Sequence, residues 1–281
     1  MRSLVTHSLV QLALMEDIGN GDITTEALVN PNDMGVAKIY AKQDLIIAGL
    51  NMVSSVFGYI APEHFQFEPK CQDGDELLPK QLVCVIKSSL ASLLEGERIA
   101  LNFLQRLSGI ATTTRSYVKI LADRSRPIIV DTRKTTPGWR ILEKDAVRAG
   151  GAKNHRMGLF DGVLIKDNHI NICGGIIPAI ERVRKQISHL SKIEVEVESF
   201  KQLEDALTAS ADVIMLDNMS IHDVHEAVKI VDGRALLEVS GGVTMDHVEK
   251  LVDSGVDIIS IGGLTHSAKA VDLSMDIQKL N

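Results

Sequence analysis

The sequence predicts an α/β protein whose second half is an incomplete α/β barrel, with an open doubly wound sheet as the alternative. Two observations carry that reading. Short β-rich runs recur at Pro127–Asp131, Gly162–Lys166, Ile193–Glu198, Val213–Asp217, Ala235–Val239 and Val256–Ile261, and the later ones alternate with helix-like stretches at Ser199–Ser210, Ile221–Val231 and Met245–Ser254. Strand and helix alternating through short links make parallel βα units. Their tight spacing suits a barrel, and six strands are visible where a complete barrel has eight.

The second observation is where the polar residues fall. The runs end in Asp131-Thr-Arg-Lys134, Lys166-Asp-Asn-His169, Glu196 and Glu198, Asp217-Asn218, Glu238-Val-Ser-Gly-Gly242 and Gly262-Gly263. Barrel enzymes carry their catalytic groups at the C-terminal ends of the strands. Any one polar ending could simply cap the next helix. Six in succession point to an enzyme.

The first hundred residues read differently. Val36–Gly49 and Gln81–Ser88 have strand character, Asp73-Gly-Asp75 and Pro79 mark turns, and Ser92 to Leu107 has helical spacing of apolar residues. This predicts a separate α+β domain over residues 1–110, the barrel over 111–267, and a C-terminal helix over 268–281 packing back on the body.

A length of 281 residues allows one large or two modest domains, and 45% hydrophobic with 24% charged residues is an ordinary globular composition. Cys71, Cys84 and Cys173 lack disulfide or metal-ligand spacing, so a reducing cytoplasm is expected. The N-terminus, interrupted by His7 and Gln11 and running into Glu16 and Asp17, reads as an amphipathic helix and not a signal peptide. No apolar run approaches the roughly 20 residues a membrane span needs.

The net charge of −7 argues against nucleic-acid binding. Its distribution is more informative. Residues 124–166 hold ten Lys/Arg against four Asp/Glu, a local +6 that leaves −13 for the remainder. A basic zone in an acidic chain suggests capture of a small multiply charged anion. Within it, Arg133 beside Lys134 and His155 beside Arg156 place paired cationic groups at element ends, as a dicarboxylate would require.

Glu194, Glu196 and Glu198 alternate with Val195 and Val197. On a strand the glutamates share one face, and in a barrel that face is the lumen. With Asp217 one strand further on, they suggest a magnesium site that also holds a diphosphate; a wet acidic edge strand is the plainer alternative. Ser240-Gly-Gly242 and Gly262-Gly263 suit a phosphate-binding end, although glycine pairs are common in plain turns. Neither a GxxxxGK[ST] loop nor a GxGxxG loop is present, which leaves NTPases and dinucleotide-binding enzymes little support.

Ordered blocks then become specific. Glu16-Asp-Ile-Gly-Asn-Gly-Asp-Ile-Thr-Thr25, Gly96-Glu-Arg-Ile-Ala-Leu-Asn102, Leu107-Ser-Gly-Ile-Ala-Thr112, Asp131-Thr-Arg-Lys-Thr-Thr-Pro-Gly138 and Gly150-Gly-Ala-Lys-Asn-His-Arg-Met-Gly158 lead the series. Leu164-Ile-Lys-Asp-Asn-His169, Glu194-Val-Glu-Val-Glu-Ser199, Met215-Leu-Asp-Asn218, Ser240-Gly-Gly242 and Ile261-Gly-Gly-Leu-Thr-His-Ser267 complete it. Together they resemble the quinolinate phosphoribosyltransferase family over nearly the whole chain.

The resemblance implies an N-terminal α/β sandwich domain before the incomplete barrel, and a homodimer or hexamer with shared active sites. It implies that quinolinate and phosphoribosyl pyrophosphate react to give nicotinate mononucleotide, pyrophosphate and carbon dioxide. By position, Arg133, His155, Arg156 and Lys166 would bind quinolinate, joined by Arg98 from the neighbouring subunit. Lys134 and Lys166 would reach the phosphoribosyl pyrophosphate, and Glu196 and Asp217 would hold Mg2+. Ser240, Gly241, Gly242, Gly262, Gly263 and His266 would line the phosphate end. The competing readings are a paralogue acting on another aromatic acid, a lyase using Lys166 as a Schiff-base amine, and a non-catalytic anion-binding module.

Overall fold

A computed structural model describes residues 2–122 and 124–280. The chain divides into two compact units, Met1–Arg115 with Thr136–Gly151 and Ala268–Asn281, and Ser116–Thr135 with Ala152–Ser267.

In the first unit, α1 (Arg2–Asp17) and α2 (Ile23–Leu28) precede β1 (Met34–Ala41), β2 (Leu45–Ile46), α3 (Leu50–Ile60), β3 (Gln66–Pro69), β4 (Glu76–Leu77) and β5 (Leu82–Ser89). The run expected at Val36–Gly49 is therefore two strands, broken at Lys42-Gln-Asp44. Helix α4 (Leu90–Ile120) extends well beyond the expected stretch, because its buried face continues through Gly109, Ile110, Ala111 and Thr114. That face is partly polar for a reason: Ser108 Oγ and Thr112 Oγ1 accept the backbone N–H groups of Ala48 and Ile46 at 3.0 and 2.8 Å.

The expected C-terminal helix is a strand. Residues Leu273–Lys279 (β12; β6 to β11 lie in the second unit) pair antiparallel with β1 from Ala41↔Leu273 to Gly35↔Lys279. Leu273, Ile277 and Leu280 have helical spacing, while Leu273, Met275 and Ile277 alternate, so both periods fit the same residues. The unpaired edge of β1 decides the contest, since the added strand satisfies its hydrogen bonds and buries Leu273 and Met275. The resulting sheet runs β12-β1-β5-β3.

The second unit begins with β6 (Ile128–Val130) and continues, after α5 (Arg140–Ala149) of the first unit, with β7 (Val163–Ile165), α6 (Asp167–Cys173), α7 (Ile176–Arg184) and β8 (Ile193–Val197). Then follow α8 (Phe200–Thr208), β9 (Val213–Asp217), α9 (Ile221–Val231), β10 (Leu236–Ser240), α10 (Met245–Leu251), β11 (Ile258–Ser260) and α11 (Gly263–His266). All six strands are parallel, in the order β6-β11-β10-β9-β8-β7. Among the described residues β6 and β7 do not pair with each other, so the barrel is incomplete, open where they would meet.

The strands alternate as the sequence predicts. Val195, Val197, Ile214, Leu216, Leu237 and Ile259 are fully or almost fully buried on the helix-facing side. Their neighbours Glu194, Glu196, Met215, Glu238 and Ser260 line cavities in the lumen. Side-chain caps start the crossover helices, with Ser199, Ser220 and Thr244 accepting from Gln202, Asp223 and His247 N–H. Among the described residues no helix is long and apolar enough to cross a membrane.

Candidate active site

A cavity of about 430 Å³ lies at the C-terminal ends of the second unit's strands. Arg133 and Lys134 reach it from the turn after β6, and His155 and Arg156 from the loop before β7. Lys166 follows β7, Glu196 stands on β8, Asp217 ends β9, and Ser240, Gly241 and Gly242 end β10. Gly262, Gly263 and His266 close the ring after β11. Arg98 is not among the lining residues; it is exposed on α4 of the first unit.

Buried anchors fix these loops. Asp131, fully buried, accepts the His155 backbone N–H at 2.9 Å and the Asn154 amide at 2.6 Å, which ties the 153–156 loop to the end of β6. Lys134 is tied in turn by its own carbonyl, which accepts from Thr265 Oγ1 at 2.8 Å. Gly241 is obligatory: its φ is +97°, and a Cβ there would fall 2.2 Å from Asn218 Oδ1 and 2.8 Å from the Asn218 amide nitrogen.

The charges are segregated. Burial first, then the like charge of Arg133, lowers the Arg156 guanidinium from its ordinary value, with Glu194 and Asp161 acting the other way. Two guanidinium groups close enough to repel one another favour a multiply charged anion between them. Opposite them Lys166 Nζ is paired with Glu196 Oε2, and Asp217 Oδ2 accepts from Asn218 Nδ2 at 2.9 Å.

Two further acids, Glu194 of the alternating glutamates and Glu238 at the end of the fifth run, were read in the sequence as lumen or strand-end residues without an individual role. Glu194 and Glu238 are buried in the lumen with His155 between them, its Nε2 lying 3.0 Å from Glu194 Oε2 and 3.7 Å from Glu238 Oε1. Thr132, Leu164, Met215, Asn218, Val243 and Ser260 also line the cavity and were not foreseen. For Glu238 a signal existed: a lone acid inside the apolar run Leu236-Leu-Glu-Val239 must be buried or paired.

The comparisons with known proteins agree with this geometry. Residues 22–108 match the N-terminal domain model of quinolinate phosphoribosyl transferase, and residues 110–276 match its C-terminal domain model. The chain belongs to the quinolinate phosphoribosyltransferase family. It is 43% identical to a probable nicotinate-nucleotide pyrophosphorylase of Bacillus subtilis, covering 100% of this chain and 96% of that one. It is 39% identical to the chloroplastic nicotinate-nucleotide pyrophosphorylase of Arabidopsis thaliana, covering 96% and 82%. The nicotinate-nucleotide pyrophosphorylase structure from Francisella tularensis superposes with a TM-score of 0.92 at 37% identity, covering 98% and 96%. The mixed α/β architecture of the family, an N-terminal domain followed by a six-stranded parallel sheet, is thus the architecture of this chain.

Proposed function

We propose that this member of the quinolinate phosphoribosyltransferase family transfers the phosphoribosyl group of phosphoribosyl pyrophosphate to quinolinate. The products are nicotinate mononucleotide, pyrophosphate and carbon dioxide, in NAD biosynthesis. One observation carries the reading: a single cavity places Arg133, Arg156, Lys134 and Lys166 against Glu196 and Asp217. A dicarboxylate and a diphosphate need the cations, while a ribose ring and a magnesium ion need the acids.

In this reading Arg133 and Arg156, supported by His155 and by Arg98 of a neighbouring subunit, hold both quinolinate carboxylates. Fixing the ring nitrogen against the anomeric carbon converts a bimolecular encounter into an oriented one. As the glycosidic carbon develops oxocarbenium character, Glu196 and Asp217 face the forming positive charge, and Lys134 takes up charge on the departing pyrophosphate. Ser240, Gly241, Gly242, Gly262, Gly263 and His266 form the phosphate end. Once glycosylated, the pyridinium nitrogen stabilises the electron pair left when the adjacent carboxylate departs, so decarboxylation follows transfer.

The donor set fits magnesium. Glu196 and Asp217 offer hard oxygen ligands, and two carboxylates suit an ion that completes its octahedron with water and substrate oxygens. Such an ion would neutralise the diphosphate. We further propose a dimer or a hexamer with shared sites, in the cytoplasm, where the free Cys71, Cys84 and Cys173 fit a reducing setting.

Turnover with quinolinate, phosphoribosyl pyrophosphate and magnesium tests the reading. Nicotinate mononucleotide and carbon dioxide should form together and stop when a chelator is added. Product from a different pyridine acid, with none from quinolinate, would move the chain to a paralogous activity. For shared sites, mixing inactive Arg98→Ala and Lys134→Ala chains should restore about a quarter of wild-type activity, since a random mixture rebuilds some intact sites. No recovery despite subunit exchange would place each site within one chain.

A further inference from the structure

Glu238 has no place in the transfer chemistry, yet it lies on the inner face of β10 and lines the substrate cavity. It also lines a second cavity, of about 780 Å³, which reaches down the lumen past Ile128, Val213, Leu236 and Ile258. Its side chain is 2% exposed. Among the described residues, the Oε1 atoms of Glu238 and Glu194 are both buried without a hydrogen-bond partner. Two adjacent carboxylates in such a place cannot both ionise cheaply. Burial first, then the charge of Glu194, pushes the Glu238 carboxyl up to about 8, with His155 pulling the other way.

A bound cation or a retained proton could relieve this cluster, in which His155, Glu194 and Glu238 bring ligand atoms within 4.8 Å of one another. The imidazole decides between them. His155 Nδ1 accepts the Arg156 backbone N–H at 2.8 Å, which leaves the ring proton on Nε2. A nitrogen that carries a proton and points it at Glu194 has no lone pair for a metal. The cluster therefore holds a proton, on Glu238.

The reaction proposed above needs one at this cavity. When the carboxylate at ring carbon C2 leaves as carbon dioxide, the bonding pair stays on C2 as a carbanion beside the pyridinium nitrogen. Of the other acids lining the cavity, Glu196 is paired with Lys166 and Asp217 accepts from Asn218. We propose that Glu238 is the acid that protonates C2. The Glu238 O–H bond breaks, a C2–H bond forms, and the Glu238 carboxylate regains its proton from solvent by way of the second cavity, which His155 and Glu194 also line. The inference rests on the quinolinate reading; without a donor, the carbanion recaptures carbon dioxide before it escapes.

Single-turnover rapid quench of the magnesium-loaded full-length enzyme, with pyrophosphate and carbon dioxide followed separately, tests it. In the wild type the two should appear in step. In Glu238→Gln, pyrophosphate should appear within about threefold of the wild-type rate, while carbon dioxide slows about 100-fold and quinolinate mononucleotide accumulates. Glu238→Asp, which keeps a carboxyl on a shorter arm and does not depend on the Gln variant folding, should show the same lag to a smaller degree. Carbon dioxide staying in step with pyrophosphate in these variants, whether both are fast or both are slow, would overturn the role. A wild-type enzyme that releases neither product from quinolinate would instead overturn the activity itself.

Discussion

The two ends of the barrel lumen are built on the same strands and have opposite chemistry. Where the strands begin, the inner positions are Ile128 on β6, Val213 on β9, Leu236 on β10 and Ile258 on β11. Where they end, the inner positions are Lys166, Glu196, Asp217 and Ser240. Four residues separate the ends on β9 and β10, which run Val213, Met215, Asp217 and Leu236, Glu238, Ser240 along one face. The apolar end contributes burial and shape, while the polar end carries every charge the proposed reaction uses. Glu194 and Glu238 mark the boundary, being charged in type but more deeply buried than Ile128, Leu236 and Ile258 below them.

Substitutions should divide along that boundary. At the polar end, Asp217→Asn should lower kcat/KM for quinolinate about 100- to 1000-fold and leave the thermal midpoint nearly unchanged. On the helix-facing side, Ile214→Ala, at a fully buried position, should cost about 2–5 kcal/mol of stability by denaturant titration with KM preserved. At the apolar end, Ile258→Val should cost about 0.5–1.5 kcal/mol and keep kcat/KM within a few-fold.

Glu238 gives the most diagnostic effect. Between its ordinary value of 4.5 and about 8, the folded chain holds a proton that the unfolded chain releases. Rising pH therefore drains stability across that window and no further above it. Glu238→Gln should flatten the fall in urea midpoint between pH 5 and 8. An unchanged slope would mean that Glu238 is ionised in the folded chain.

The sequence made the barrel strands legible because parallel strands buried on both sides read as short β-branched runs. It made Arg133, Lys134, Lys166, Glu196 and Asp217 legible because each stands at or just past the end of such a run, and His155 and Arg156 legible as a cationic pair in the basic zone; the structure gathers all seven around one cavity. Strand β12 was not legible, since residues 273–280 satisfy both the helical and the alternating period and only the free edge of β1 selects one. Met215 and Ser260 were hidden for another reason: their types are ordinary on a strand, and only the register that turns them inward gives them a place in the site. Pairing of Glu194 and Glu238 through His155 needs the strand order β10-β9-β8, which no local pattern specifies.

The central claim is that the chemistry resides at the polar end of the lumen. It is tested most directly by measuring kcat/KM for quinolinate in Asp217→Asn and Ile258→Val side by side, in magnesium with saturating phosphoribosyl pyrophosphate. The predicted result is a loss of at least about 100-fold in the first and no more than a few-fold in the second. Comparable values in the two variants, or a larger loss in Ile258→Val, would contradict the assignment of the site.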